Sequence, residues 1–134
     1  MDVGLGIAGF ICVLMAFGHQ TIGVVWVLPS ITEENLPRTP FGSPSMSLAM
    51  VRVTWYIVTV LVAAIGVALM VLGWAPAADL RTLLLRCFAV MWLAAAVMAI
   101  WVALGRVRSL RGIFRLPIPM LWIVVSVLCW VAST

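Results

Sequence analysis

Apolar residues occur in four long runs, separated by segments that contain nearly all of the charged residues and prolines. A helix needs about 20 mainly apolar residues to cross the hydrocarbon core of a bilayer. The four runs approach or exceed this length and predict four transmembrane helices, at about residues 3–28, 53–74, 85–105 and 116–134. The whole chain, 1–134, is therefore predicted to be a single all-α transmembrane domain, a four-helix bundle.

The connections between the runs differ in composition. Residues 29–45 are predicted to form a proline-rich loop, because four prolines remove backbone donors and prevent a continuous helix. The second connection, 75–80, is short, and Asp79 is placed to cap the third helix. The third connection, 106–115, is a basic loop.

Composition argues against a soluble globular domain. Hydrophobic residues make up 66% of the chain and charged residues 9%. Soluble domains are about 45–50% apolar and about 25% charged, so this chain has too few charges to cover a surface in contact with water. We expect lipid to be the solvent and membrane lipids to be partners.

The basic residues are all arginine, and most of them lie beside the first and third connections. We expect the net charge of +4 to attract anionic lipid headgroups and to set the orientation of the chain in the membrane, rather than to bind nucleic acid. The positive-inside rule then predicts a multi-pass protein of the bacterial cytoplasmic (inner) membrane, with the first and third loops cytoplasmic and both termini outside. Arg81 and Arg86, beside the second connection, oppose this orientation.

The basic loop has two interpretations. It is either a binding patch for anionic lipid phosphates or a source of surface charge that only sets orientation. The candidate lipid-contacting residues are Arg106, Arg108, Arg111 and Arg115.

Small residues recur at four-residue spacing in two of the predicted helices. They are Gly4, Ala8, Cys12 and Ala16 in the first, and Ala95, Ala99 and Ala103 in the third. Because lipid gives helices no hydrophobic reason to associate, close approach over small residues is expected to hold them together. Such ridges serve contacts within one chain or between copies. We predict a homo-oligomer or a subunit of a larger membrane complex.

Polar residues inside the spans are the candidates for function, because placing them in hydrocarbon is costly. Antiparallel packing of the first two helices brings two groups of polar and aromatic residues to a similar depth. The candidate ligand-binding residues are His19, Gln20, Arg52, Trp55, Tyr56 and Thr59. One interpretation is an inner-leaflet polar pocket in which His19 contacts a ligand or accepts a proton. In the other, His19 only bonds Tyr56, Thr59 or a loop carbonyl, and Arg52 is an interfacial anchor.

The sequence offers few residues that could form a metal site, a haem site or an enzyme active site. One histidine cannot complete a four-coordinate site, and the acidic residues fall outside the spans. Cys12 and Met15 share a helix face with His19, which leaves a Cu(I) site as an alternative, and a haem would need a second ligand such as methionine or another copy's histidine. The three cysteines show no CxxC spacing. We predict no cofactor, no metal site, no catalytic residue and no enzymatic activity.

Two short motifs carry a resemblance. Residues 17–23 read FGHQTIG, residues 36–42 read LPRTPFG, and residues 52–55 read RVTW. This pattern resembles an uncharacterised family of small bacterial four-helix integral membrane proteins, in which GHxxxG ends the first span and RxxW opens the second. Family members often have an acid after the second glycine and a histidine after the tryptophan, where this chain has Val24 and Tyr56. The resemblance covers the first half of the chain and implies the four-helix fold but no activity.

The sequence therefore predicts a non-enzymatic binding or accessory membrane protein with a pocket near His19. A small oligomeric transporter or channel for a small molecule or ion is the alternative, with its path running between copies. The acids outside the spans argue against acid-driven export, although His19 could take that role. A haem or copper protein is the third possibility.

Overall fold

The computed structural model describes residues 2–36, 42–107 and 118–134, and within these residues the chain is all-helical. Four helices account for most of it: α1 (Val3–Ile22), α2 (Pro44–Leu72), α3 (Asp79–Val107) and α4 (Ile118–Val131). The predicted all-helical class and the count of four helices are confirmed. Three helices are long and apolar enough to cross a membrane, whereas α4 is a shorter apolar helix of 14 residues.

The first helix continues beyond α1 through a wide π-helical turn, Gly23–Val27, and a final helical turn, Leu28–Ser30. In the wide turn the Leu28 N–H bonds to the carbonyl of Gly23, five residues earlier. Pro29 follows directly and has no N–H to donate, so the wide turn lies where a proline would interrupt a regular α-helix. At its start, α1 is capped by the Asp2 carboxylate, which accepts a hydrogen bond from Leu5 N at 3.2 Å.

Helix α2 begins at Pro44, nine residues before the predicted start of the second span. Proline suits the first turn of a helix, where its missing N–H has no partner to lose. The preceding residue, Ser43, caps the helix by accepting from Met46 N at 3.4 Å. The loop is thus shorter than the predicted 29–45 at both ends. Its described part includes a 3₁₀ turn at Glu33–Asn35.

Helix α3 also begins earlier than the predicted residue 85, at Asp79. Asp79 is itself the first helical residue, and its carboxylate lies in the first turn, where a negative charge complements the helix dipole. The backbone carbonyl of Ala78 accepts from Thr82 N at 3.0 Å. Helix α4 is described over Ile118–Val131, and its predicted start at 116 lies outside the described residues. The predicted lipid contacts Arg108, Arg111 and Arg115, with the Arg106 side chain, lie outside the described residues.

Helix α1 packs against α2, α3 packs against α4, and α1 also contacts α4. Each helix contributes one face to a shared apolar core. Its fully buried members include Leu5, Ala8 and Cys12 of α1, Leu69 of α2, Leu85 of α3, and Val125 and Cys129 of α4. The small-residue ridge of α1 is therefore used within one chain. In α3 the buried line includes Ala89, Trp92 and Ala96, and the predicted ridge residues Ala95 and Ala99 are half-buried beside it.

The backbones of helices α1 and α2 approach each other closely at Gly9 and Gly66. A Cβ placed on Gly9 would lie 2.5 Å from the Gly66 carbonyl oxygen, and one placed on Gly66 would lie 2.8 Å from the Gly9 carbonyl oxygen. Both glycines are buried. The two backbones touch because neither residue has a side chain, which is how helices in lipid commonly gain contact area.

Arg81 joins three segments at one end of the bundle. Its Nε donates to the Leu72 carbonyl at 3.0 Å, its Nη1 to the Ala132 carbonyl at 3.3 Å, and its Nη2 to Asp2 Oδ2 at 3.4 Å. The Asp2 N–H also donates to the Gly73 carbonyl at 2.8 Å. The N-terminal segment, the α2–α3 connection and the C-terminal segment therefore lie at the same end, as expected for four helices that alternate in direction.

Candidate ligand-binding cavity

His19 of α1 is joined to Thr59 of α2 by a hydrogen bond between Nδ1 and Oγ1 of 2.9 Å. The Thr59 hydroxyl in turn donates to the carbonyl of Trp55, one turn earlier in α2, at 3.0 Å. Threonine in a helix often bonds a carbonyl one turn back in this way, which fixes its side-chain rotamer. The imidazole is thus held by a hydroxyl whose own position is set by the helix backbone.

The indole of Trp55 holds His19 from a second direction. The two rings are stacked, with centroids 4.1 Å apart and planes only 11° from parallel. The indole N–H also donates to the His19 backbone carbonyl at 3.3 Å. Stacking covers one face of the imidazole, the bond to Thr59 limits its rotation, and the bond to the His19 carbonyl holds the indole in place, so this histidine is rigidly oriented.

Helical spacing explains why these residues meet. Trp55 and Thr59 are four residues apart and project from one face of α2, and His19 and Gly23 stand in the same relation on α1. Gly23 is buried against Trp55, and a Cβ at this position would overlap the indole ring. The structure therefore brings together the histidine and second glycine of the GHxxxG segment with the tryptophan of RxxW.

Next to this unit lies a cavity of about 310 Å³ between α1, α2 and the first turns of α4. Its lining residues are Ile11, Leu14, Met15, Ala16, Gly18, His19, Ile22, Trp55, Val58, Thr59, Val62, Leu121 and Trp122. Apart from the imidazole, the threonine hydroxyl and the two indoles, this lining is apolar. At Gly18 an added Cβ would meet nothing within 4 Å. The cavity can hold a small apolar molecule with one hydrogen-bonding group.

Only part of the predicted site lines this cavity. His19, Trp55 and Thr59 do, whereas Arg52 and Tyr56 are exposed on α2 and are not among the lining residues. Gln20 is also outside the lining, and its side-chain Oε1 is buried without a hydrogen-bond partner in the described part of the chain. The cavity is therefore an apolar chamber with a polar edge, which differs from the polar pocket that the sequence predicts.

Several lining residues have no distinguishing signal in the sequence. Leu121 and Trp122 look like ordinary span residues, and only the packing of α4 beside α1 brings them to His19. Met15, considered above as a soft metal ligand, does line the cavity, while Cys12 is buried in the core. Across residues 2–36, 42–107 and 118–134, no three or more His, Cys, Asp or Glu residues are grouped as a metal site would require.

Comparisons with protein-family models, curated proteins and solved structures found no match for this chain. The resemblance carried by the GHxxxG and RxxW segments therefore stays a prediction. What the candidate site can do rests on the geometry of its own residues.

Proposed function

We propose that this chain is a non-enzymatic binding or accessory protein of the bacterial cytoplasmic membrane that holds a small lipid-soluble molecule in the cavity beside His19. The observation that carries the proposal is the cavity itself, about 310 Å³ of apolar space next to a rigidly oriented imidazole. Ligand sites in proteins usually enclose about 300–1,000 Å³ and combine apolar walls with a few fixed polar groups. This cavity lies at the small end of that range and has that composition.

Membrane insertion is supported by the surface of the helices. Large apolar side chains point outward along the described helices, with Phe17 72% exposed on α1, Val60 66% on α2 and Trp101 74% on α3. Soluble monomers rarely expose large continuous apolar patches, because water solvates them poorly. From Arg52 to Leu72, α2 rises about 30 Å, which matches the hydrocarbon thickness of a bilayer. The first turns of α2 would then project beyond the hydrocarbon at the headgroup level.

The orientation predicted from the arginines is part of the proposal, with both termini outside and the first and third loops cytoplasmic. Arg81 opposes that orientation because it lies beside the second connection, which the proposal places outside. However, its guanidinium is largely buried, with 13% of the side chain exposed, and is paired with Asp2 and two backbone carbonyls. We infer that Arg81 serves the fold, so that its charge weighs less in setting orientation than that of a free arginine. The cavity then opens in the inner half of the membrane.

The core argues against a polar path through a single chain. Between the Arg81 end and the His19 end, the buried side chains that the structure describes are apolar except for two groups. The Ser126 hydroxyl donates to the Ala89 carbonyl at 2.8 Å, and the Trp92 indole N–H has no hydrogen-bond partner among the described residues. Ions and polar solutes need polar groups or water along their route, because desolvation in an apolar interior is costly. A binding role fits this interior better than transport through one copy.

Photolabelling tests the proposal directly. The purified protein in lipid nanodiscs is incubated with a diazirine-bearing medium-chain hydrocarbon probe and irradiated, and the labelled residues are mapped by mass spectrometry. We expect saturable labelling of half-buried cavity residues such as Met15 and Val62. Labelling that is non-saturable and uniform over the outer helix faces would show that the probe only samples the surrounding lipid, and would overturn the proposal.

A variant that fills the cavity provides a second test in the same photolabelling experiment. In Gly18→Leu the new side chain enters open space, and we expect about a tenfold or greater loss of saturable labelling without unfolding. Ala94→Leu is the matched control, because Ala94 is exposed on α3 and is not a lining residue. Equal labelling of both variants and the wild type would show that the probe does not occupy this cavity.

A further inference from the structure

We propose that the occupant of the cavity is a lipid-soluble alcohol or phenol, whose hydroxyl donates a hydrogen bond to Nε2 of His19. This inference rests on the proposed function and narrows it to one ligand class. It follows from which atom donates and which accepts in two linked hydrogen bonds, the one between His19 and Thr59 and the one from Thr59 to the Trp55 carbonyl.

The threonine hydroxyl has a single proton. We infer that this proton goes to the Trp55 carbonyl at 3.0 Å, which leaves the Thr59 oxygen to accept from its second partner at 2.9 Å, His19 Nδ1. The proton of the neutral imidazole is therefore on Nδ1. In this tautomer Nε2 has no proton and presents a lone pair.

Nε2 has no hydrogen-bond partner among the side chains and backbone groups that the structure describes. Trp55 covers one face of the ring, and the neighbouring cavity walls are apolar. An acceptor that loses water without gaining a donor is destabilised. A molecule that fills the cavity must therefore bring a donor of its own, or bind less tightly.

The chemistry of the walls restricts which donor this can be. An ammonium group would have to leave water as a cation among apolar side chains, which is costly. An ionised carboxylate offers only acceptors and cannot pair with Nε2. A hydroxyl is a neutral donor, is cheaper to desolvate than either ion, and is compatible with a hydrocarbon body that packs against Leu14 and Val62.

A pair of probes tests the hydroxyl. The protein in nanodiscs is titrated with a diazirine-bearing medium-chain alcohol and, separately, with its methyl ether, which has the same body and no donor. We expect the alcohol to label the cavity residues with about fivefold higher apparent affinity, the effect of one net hydrogen bond in a dry site. In His19→Phe, which keeps an aromatic ring against Trp55, the two probes should label equally.

The tautomer has an independent readout because His19 is the single histidine of the chain. With ¹⁵N-labelled histidine, nuclear magnetic resonance should show a protonated Nδ1 and a bare Nε2, and addition of the alcohol should shift the Nε2 resonance. Thr59→Val removes the hydroxyl that holds Nδ1, and the Nδ1–H preference should then weaken. Thr54→Val, on an exposed face of α2, is the matched control. A wild-type protein with its proton on Nε2 would overturn the inference.

The outcomes separate the two proposals. If alcohol and ether label the cavity equally in the wild type, the cavity binds hydrocarbon without reading a hydroxyl, and only the ligand class is wrong. If neither probe gives saturable labelling, the binding function itself is wrong. If His19→Phe fails to fold, the wild-type probe ratio and the histidine spectrum still decide the matter.

Discussion

The Trp55 indole occupies the space that Gly23 leaves open by having no side chain. Gly23 is in ordinary right-handed helical conformation, with φ of −60° and ψ of −53°, so its backbone could accept any residue. What it could not accept is a Cβ, which would overlap the indole. The glycine is thus needed for space rather than for conformation, and the stacking of Trp55 on His19 depends on it.

Gly23→Ala should displace the indole from His19. We expect the variant to be destabilised by about 1–3 kcal/mol, the usual cost of overpacking a close contact. The measurements are thermal unfolding in detergent and the loss of the ring-current shift that Trp55 imposes on His19.

Gly18→Ala is the control for Gly23→Ala, because it lies in the same helix and its Cβ would enter open space. Alanine is a better helix former than glycine by about 1 kcal/mol, so this variant should be neutral or slightly stabilised. If the two alanine variants unfold at the same temperature, the Gly23–Trp55 contact does not constrain the fold.

The contact between Gly9 and Gly66 predicts a second sensitive position. Alanine at Gly9 would meet the Gly66 carbonyl and also Met70 Cγ at 2.6 Å, so α1 and α2 would have to separate. We expect about 1–3 kcal/mol of destabilisation for either single alanine variant. The double variant should cost less than the sum of the two, because the first separation makes room for the second. Strict additivity, measured by reversible unfolding in mixed micelles, would contradict a shared contact.

Replacing Arg81 should loosen the end of the bundle where both termini lie. Arg81→Gln loses the charge and most of the forked donor geometry that reaches Leu72, Ala132 and Asp2. Hydrogen bonds from charged groups contribute about 1.5–3 kcal/mol each when well formed. Two of these three bonds are long, at 3.3 and 3.4 Å, so we expect Arg81→Gln to lower the free energy of unfolding by about 1.5 kcal/mol in all. Hydrogen exchange at residues 3–6 and 131–134 should accelerate, whereas Arg86→Gln, which changes an exposed arginine, should leave it unaltered.

Labelling of single cysteines tests the membrane orientation. In a variant whose three native cysteines are alanine, we place one cysteine at Glu34 or at Thr134, both exposed. A membrane-impermeant maleimide added to intact cells should label Thr134→Cys, and should reach Glu34→Cys only after the membrane is opened. The reverse result would invert the orientation. Labelling of both from one side would contradict the three crossings that the proposed topology places between Glu34 and Thr134.

Part of the site could be predicted from sequence because it depends on spacing along two neighbouring helices. His19 stands out as a polar residue in an apolar run, and antiparallel packing of adjacent helices places Trp55 and Thr59 at its depth. Arg52 and Tyr56 were grouped with them because they share that depth. Depth is a one-dimensional property, however, and the direction in which each residue faces around the helix separates Thr59, which lines the cavity, from Arg52, which is exposed.

Helix boundaries show a similar division. The apolar runs locate the middle of each helix, but α2 extends to Pro44 and α3 to Asp79 because polar residues also form helix where caps and first-turn positions suit them. The hydropathy pattern indicates which residues suit an apolar environment, whereas the end of a helix is determined by where its backbone hydrogen bonds and caps end. The two therefore differ by several residues wherever a helix continues beyond the apolar segment.

By itself the sequence determined the class of the fold, because each of the four apolar runs, with about 20 residues and few charges, is long enough to satisfy its backbone groups within a single helix. It also determined which residues share a depth. The tertiary structure decided the pairing of helices, the contact of Gly9 with Gly66, the tie at Arg81, and the chamber between α1, α2 and α4. These features depend on rotation about each helix axis. When a helix is apolar on nearly every side, its sequence has no amphipathic pattern from which the buried face could be predicted. The rotation about the helix axis is then set by how small residues on one helix fit against large residues on another.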